Sequence, residues 1–133
     1  MSKLRNTIML LLILAAFYFF YVEMMPVKIT AAELAKIYLN DPNKAERNFL
    51  NKRLEISGNI KAIRQLHDKG NIIELETNED AIKLYCFIRG NKNKIKLDSL
   101  NFGKQAKITG MCEGLKRVNS VPAVNITVEQ IKF

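Results

Sequence analysis

The sequence has few of the residues on which enzyme chemistry usually depends. It contains one histidine, two cysteines and no tryptophan in 133 residues. The histidine, His67, lies in a turn-forming segment beside Asp68 and Gly70, where we expect a solvated imidazole rather than a general base. Its distance from the cysteines does not fit a zinc site, and no glycine-rich phosphate loop follows a strand. We therefore predict no catalytic residues, no metal and no cofactor, so the protein is not expected to be an enzyme.

Internal repeats and low-complexity segments are also absent, and the length is enough for a single domain. Charged residues make up 26% of the chain, and the formal net charge is +8. Acidic residues such as Glu74, Glu76 and Asp80 are interspersed with the basic ones. This pattern is typical of a solvated, moderately basic surface. Attraction to phosphates or to an acidic partner is the alternative that the charge leaves open.

An uncharged apolar run begins at Ile8 and ends at Val22, and apolar residues continue to Val27. Its length approaches the roughly 20 residues that a bilayer-spanning helix needs. A cleaved signal peptide would end in a small-x-small site, whereas aromatic residues at positions 17–21 are typical of a membrane–water interface. We therefore predict an uncleaved signal anchor that contacts the lipid bilayer. A cleaved signal peptide and a soluble buried helix are the alternatives.

The charges before the apolar run predict its orientation. Lys3 and Arg5 precede the run without an acidic residue, which favours a cytoplasmic N-terminus, although Lys28 and Lys36 beyond it weaken the argument. We expect residues 1–27 to form a cytoplasmic tail and transmembrane signal anchor. Residues 28–133 would then lie outside the cytoplasm, in the periplasm, as the single domain of a single-pass protein of the cytoplasmic (inner) membrane.

Two short helices are predicted to follow the apolar run. Thr30 and Glu33 have the spacing of a capping box at the start of a helix over residues 31–39. Asp41 followed by Pro42 has the pattern of an N-cap with proline at the first helical position. The second helix would continue to about position 50 and present an apolar side.

Beyond Arg53 the hydrophobic period changes from helical to two, which indicates β-strands. We predict five strands, over residues 54–63, 72–77, 82–90, 105–114 and 124–133. A polar segment over residues 91–100 is predicted as a short helix or loop, and residues 115–123 as a loop. Gly58 and Gly110 fall in mid-strand, where a strand that turns through both halves of a small barrel must bend. The predicted fold is mainly β: a five-stranded Greek-key OB-fold barrel with N-terminal helical segments, preceded by one transmembrane helix.

Three segments carry a resemblance to a known family, namely AAELAKIYLNDPNKAERNFLNKRLEISGNI, YCFI and LDSLNFGKQAKITGMCEG. They resemble the bacterial tRNA-anti-like family of OB-fold proteins over roughly residues 31–133. The matching positions are Ala45, Phe49, Leu54, Ile56, Gly58, Ile60, Cys86, Phe87, Gly103, Ile108, Gly110, Cys112 and Gly114. Phe49 stands where tyrosine is commoner. The resemblance implies an OB fold. The name of the family comes from proteins that bind nucleic acid, and the resemblance implies no catalytic residues.

The cysteines are expected to point into the barrel. Cys86 alternates with Leu84 and Ile88, and Cys112 with Ile108. Outside the cytoplasm, an inward-facing pair can oxidise to a disulfide, which is one prediction for Cys86 and Cys112. Two buried free thiols that pack as small hydrophobic groups are the alternative.

The opposite face of the same strand is our candidate contact surface. Its predicted members are Tyr85, Phe87 and Arg89, together with Lys116 and Arg117 from the expected loop between the last two strands. Aromatic residues beside cations are typical of surfaces on which nucleic-acid bases stack. Burial of Tyr85 and Phe87 beneath the two short helices is the interpretation that we favour, and a protein or glycan ligand is the next.

The predicted function is therefore binding by a membrane-anchored, extracytoplasmic OB-fold module. Its expected partner is a protein of the cell envelope, for example in a complex of which this chain is a small subunit. A nucleic-acid-binding OB-fold domain that faces the cytoplasm is the alternative, and the predicted location disfavours it.

Overall fold

The computed structural model describes residues 2–66, 70–89, 103–118 and 120–132. Three helices and six strands occur in these ranges: α1 Ser2–Met24, β1 Val27–Thr30, α2 Ala31–Asn40, α3 Pro42–Phe49, β2 Arg53–Leu66, β3 Gly70–Leu75, β4 Lys83–Ile88, β5 Gln105–Val118 and β6 Val121–Lys132. The predicted turn with His67 and the predicted helix or loop over residues 91–100 lie outside the described residues.

Helix α1 contains the apolar run. The segment Ser2–Val22 is long and apolar enough to cross a membrane, and its side chains are not buried against the rest of the chain. Exposed leucine, phenylalanine and tyrosine side chains cover it on all sides. This helix therefore has the length and the composition of a membrane span.

The strands form one sheet in the order β1-β2-β3-β4-β6-β5, and β5 pairs back onto β2 to close a barrel of five strands. Leu54 lies opposite Gly110 and Ile56 opposite Ile108 across the closing pair. Strands β4 and β6 run parallel, whereas the other barrel pairs are antiparallel. The prediction of a mainly β, five-stranded barrel is confirmed.

A sixth strand, β1, was not predicted. It pairs in parallel with the first half of β2, from Val27 opposite Leu54 to Thr30 opposite Ser57. Only four residues separate Pro26 from α2, too few for an alternating pattern to be visible. This pairing is possible because β2 extends beyond β3 and leaves one edge free for β1.

The two mid-strand glycines allow close approach between elements. A Cβ atom on Gly110 would lie 2.3 Å from the carbonyl oxygen of Thr127 on β6. A Cβ atom on Gly58 would lie 2.9 Å from Cβ of Ala31, where α2 begins. The register of β5 with β6 shifts at Gly110, and the register of β2 with β3 shifts between Ile60 and Ala62, beyond Gly58. Gly58 therefore admits a helix as well as a bend, which the sequence pattern alone did not indicate.

Helices α2 and α3 close the interior of the barrel. Their caps are as predicted, since Thr30 Oγ1 accepts the Glu33 N–H at 3.1 Å and Asp41 Oδ1 accepts the Lys44 N–H at 3.1 Å. The rings of Tyr38 and Phe49 lie 6.4 Å apart. Their buried side chains belong to the same core as the inward-facing strand residues, a core that does not include Tyr85 or Phe87. The favoured interpretation, in which these helices cover Tyr85 and Phe87, is wrong, because the helices extend the interior.

Candidate functional site

Strand β4 separates the interior of the barrel from the candidate surface. Leu84, Cys86 and Ile88 are buried in the core, and the residues between them point outward. Two rows of outward residues cross β3, β4 and β6. Ile72, Phe87 and Thr127 form one row, and Glu74, Tyr85 and Asn125 form the other. We call these six residues the outer face.

The second row is polar but buried. Glu74, Tyr85 and Asn125 are 5%, 7% and 6% exposed. Lys83 Nζ lies 3.7 Å from Glu74 Oε1. The Asn125 Oδ1 atom is buried and has no hydrogen-bond partner among the described residues. This row is therefore a buried polar layer beneath the surface, closed to direct contact from solvent.

The first row borders a small charged cluster. Phe87, Ile72 and Thr127 are half-buried. The hydroxyl of Thr127 donates a 2.5 Å hydrogen bond to Glu113 Oε1. Lys116 Nζ lies 3.6 Å from Glu113 Oε2. This hydrogen bond, and next the positive charges of Lys116 and Arg89, hold the pKa of the Glu113 carboxyl below its usual value of 4.5, against the opposing effect of burial.

The structure brings together some of the predicted contact residues. Lys116 is exposed and lies 3.6 Å from Glu113, and Arg89 is exposed at the end of the strand that carries the half-buried Phe87. Tyr85 lies under this surface, where it cannot stack on a ligand from solvent. Arg117 is exposed near the end of β5, opposite Pro122 in the register of β5 with β6.

The predicted loop over residues 115–123 is largely strand. Lys116 and Arg117 belong to β5, which reaches Val118 before β6 begins at Val121. Ser120, with a φ of 70°, helps to turn the chain between them. The prediction of a loop at residues 115–118 and 121–123 was wrong, because a bulge shifts the strand register by one residue and hides the alternating pattern.

The bulge lies between Cys112 and Gly114 and is held by α3. Gly114 has a φ of 87°, and a Cβ atom there would lie 2.7 Å from a carboxylate oxygen of Glu46. Glu46 Oε1 accepts the N–H of Leu115 at 2.7 Å. Because the register changes here, Glu113 reaches Thr127 on the outer face. Sequence reasoning did not select Glu113, Thr127 and Asn125 as site residues. A glutamate directly before Gly114 was an available signal for Glu113.

The two cysteines are free thiols, and the predicted disulfide is not formed. Ile126 on β6 is the register partner of Cys86 on β4 and also of Cys112 on β5. Strand β6 therefore runs between the two cysteines. Two strand spacings amount to about 9.5 Å, beyond the roughly 4.4–6.8 Å between the Cα atoms of a disulfide. Burial raises the pKa of Cys86 to about 12. Burial also raises the pKa of Cys112, whose Sγ lies 3.5 Å from the Tyr38 hydroxyl.

Among the described residues, no group of three or more histidine, cysteine, aspartate or glutamate side chains is placed to hold a metal ion. The polar groups on and beside the outer face are hydroxyls and carboxylates, and two of the carboxylates lie near lysines. Such an arrangement can form hydrogen bonds and ion pairs with a ligand beside the half-buried Phe87.

Comparison with known families and structures agrees with this fold. The tRNA_anti-like family matches residues 2–128. The comparison with curated proteins gave no match. A lipoprotein from Klebsiella pneumoniae, to which nucleic-acid binding is provisionally ascribed, is similar at 20% identity and a TM-score of 0.57, over 79% of this chain and 92% of that one.

Two further solved structures share the fold. Asparaginyl-tRNA synthetase from Entamoeba histolytica, in complex with asparaginyl-adenylate, has 16% identity and a TM-score of 0.53 over 81% of this chain. This chain spans only 23% of that synthetase. An OBody bound to hen egg-white lysozyme has 15% identity and a TM-score of 0.51, over 63% of this chain and 82% of that one. At these identities the similarities establish the OB fold.

Proposed function

This chain belongs to the tRNA_anti-like family, and we propose that it is a membrane-anchored binding module whose OB-fold barrel recognises a protein partner through the outer face. In this proposal residues 1–27 form the cytoplasmic tail and anchor, and residues 28–133 form the domain outside the cytoplasm. The partner is a protein of the envelope, and the module binds without catalysing a reaction.

The pairing of cations with carboxylates on and beside the outer face carries the proposal. Lys83 lies 3.7 Å from Glu74, and Lys116 lies 3.6 Å from Glu113. A phosphodiester backbone requires free cations and repels carboxylates. Tyr85 is buried, which leaves Phe87 as the one aromatic ring of the outer face that reaches the surface. Half-buried apolar groups between alternating charges are typical of protein interfaces.

The location supports the same partner class. Helix α1 is apolar enough to span a bilayer, and Lys3 and Arg5 at its start favour a cytoplasmic N-terminus. A barrel placed beyond the far end of this helix would seldom meet nucleic acid. The OBody is an OB-fold protein in complex with another protein, which provides a precedent for this mode of binding.

Site-specific photo-crosslinking in cells tests the proposal. The full chain would carry a benzoylphenylalanine at Phe87, and the matched control would carry it at Leu39 on α2, which is 37% exposed and lies off the outer face. We expect a crosslink from position 87 to a specific protein, and none from position 39. Gel electrophoresis and mass spectrometry of the adduct identify the partner.

The cells that carry benzoylphenylalanine at position 87 also test the alternative, a nucleic-acid-binding domain that faces the cytoplasm. The net charge of +8 favours this alternative. A nucleic-acid adduct at position 87, or salt-dependent binding of single-stranded oligonucleotides that Phe87→Ala abolishes, would establish the alternative. A reporter fused after residue 133 that is active only in the cytoplasm would contradict the proposed orientation. Absence of any crosslink above the Leu39 control would contradict the outer face as the binding site.

A further inference from the structure

The connection between the apolar helix and the barrel is very short. Met25 donates its N–H to the Tyr21 carbonyl at 3.1 Å, and β1 begins two residues later at Val27. Three residue steps span at most about 11 Å, and Pro26 restricts the backbone within them. Since β1 pairs along its length with β2, this end of the barrel is held close to the end of α1.

A groove of about 590 Å³ lies at this junction. Apolar side chains from the end of α1, including Val22, Met24 and Met25, line one side of it. Lys52, Arg53 and other barrel residues line the opposite side. The groove is thus apolar toward the helix, and toward the barrel it carries Lys52 and Arg53 beside Glu129 and Met111. A phospholipid presents its acyl chains and its phosphate in the same order.

The charges of the groove favour an anion. Arg53 Nε donates to Glu129 Oε2 at 2.7 Å, so this cation is partly neutralised. Lys52 is exposed and forms no salt bridge within the described ranges. Lys28 is exposed on the neighbouring strand β1. Two lysines on the barrel side of the junction are therefore exposed and form no salt bridge with a carboxylate of the described residues.

We propose that this juxtamembrane groove binds the headgroup of an anionic phospholipid, with Lys52 as its principal phosphate contact and the methionine side chains against the upper part of the acyl chains. The inference rests on the part of the proposed function in which α1 spans the bilayer. Cations near a membrane surface attract anionic lipids with an effect of roughly fivefold each. Bound lipid would fix the orientation of the barrel on the membrane and so the direction in which the outer face points.

Native mass spectrometry of the full-length protein tests the inference. The chain would be released from nanodiscs that contain equal amounts of phosphatidylglycerol and phosphatidylcholine, and the retained lipids counted. We expect phosphatidylglycerol to be enriched and Lys52→Gln to lower the enrichment roughly fivefold. Glu129→Gln, which removes a negative charge from the groove, should raise it.

The matched control is Lys107→Gln, which removes the same charge from an exposed position of β5 opposite Lys132, away from the groove. Equal retention of both lipids, or an equal effect of Lys52→Gln and Lys107→Gln, would overturn the inference while leaving the membrane anchor intact. Failure of the full chain to enter nanodiscs would overturn the anchor and this inference together. The inference would also be overturned if an acidic protein segment bound at the groove and lost its binding in Lys52→Gln while lipid retention was unchanged.

Discussion

The two faces of strand β4 differ in what surrounds them. On the inward side, Leu84, Cys86 and Ile88 pack into a core that α2 and α3 extend and close. On the outward side, Tyr85 is buried among polar neighbours, and Phe87 lies beside a charged cluster. The inward face leaves its side chains little freedom to contact a ligand. The outward side has the half-buried Phe87 beside charged groups, and a partner can contact these from solvent.

This difference teaches where function can reside in the barrel. Interior side chains contribute apolar burial, at roughly 25 cal/mol per Å² of area removed from water, and any change there acts first on the fold. Outward groups contribute less to folding, because they exchange hydrogen bonds with water in the unfolded chain. Substitutions on the two faces should therefore separate stability from binding.

Neighbouring isoleucines of β3 test this separation with the largest expected effect. Ile73 is fully buried, whereas Ile72 is half-buried on the outer face. We expect Ile73→Ala to lower the free energy of unfolding by about 2–5 kcal/mol, and Ile72→Ala by less than about 1.5 kcal/mol. Chemical denaturation of the full chain in mild detergent measures both values. Equal losses would show that the outer face is part of the core.

The two thiols sharpen the description of the interior. Cys86 has no hydrogen-bond partner among the described residues, whereas Cys112 lies 3.5 Å from the Tyr38 hydroxyl. We expect Cys86→Ser to cost about 1–3 kcal/mol, because it buries an unsatisfied hydroxyl, and Cys112→Ser to cost less. Denaturation curves of the two variants compare them directly. In the wild type, a thiol reagent should label both cysteines only after unfolding, and no reductant should be needed. If labelling required a reductant, the cysteines would not be free thiols.

The smallest expected effect concerns Glu113. Its pKa is lower in the folded protein than in the unfolded chain, so its contribution is fully present above about pH 4.5 and is lost as the pH falls through the folded value. Because the Glu113 side chain is 33% exposed, we expect less than about 1 kcal/mol. Unfolding measured from pH 6 to about pH 3 should show a shallower loss of stability for Glu113→Gln and for Thr127→Val. An unchanged pH dependence in Thr127→Val would contradict the hydrogen bond as the main cause.

Much of the fold could be predicted from local patterns. The caps at Thr30 and Asp41 depend on contacts within three residues, and the alternation of β4 depends on its pleat. Strand β1 was missed because its partner is distant in sequence, and the extended β5–β6 hairpin was missed because the bulge between Cys112 and Gly114 interrupts the alternation. The disulfide prediction used the inward direction of both cysteines correctly, but the direction of a side chain does not reveal that β6 passes between them.

The candidate site was predictable only in part. Phe87 and Arg89 are outward by alternation, which the sequence displays. Tyr85 shares that alternation and yet is buried, because its exposure depends on what packs over the strand. Glu113 joins the site only through the bulge that Gly114 and Glu46 create together.

By itself, the sequence determined the apolar helix, the capped helices, the strand alternation and the glycines of the barrel, since each follows from spacing along the chain. The tertiary structure alone decided that the thiols stay apart, that the short helices close the interior, and that carboxylates lie near the lysines beside the outer face. These features depend on distances between strands, which are set when the barrel closes and all its contacts form together.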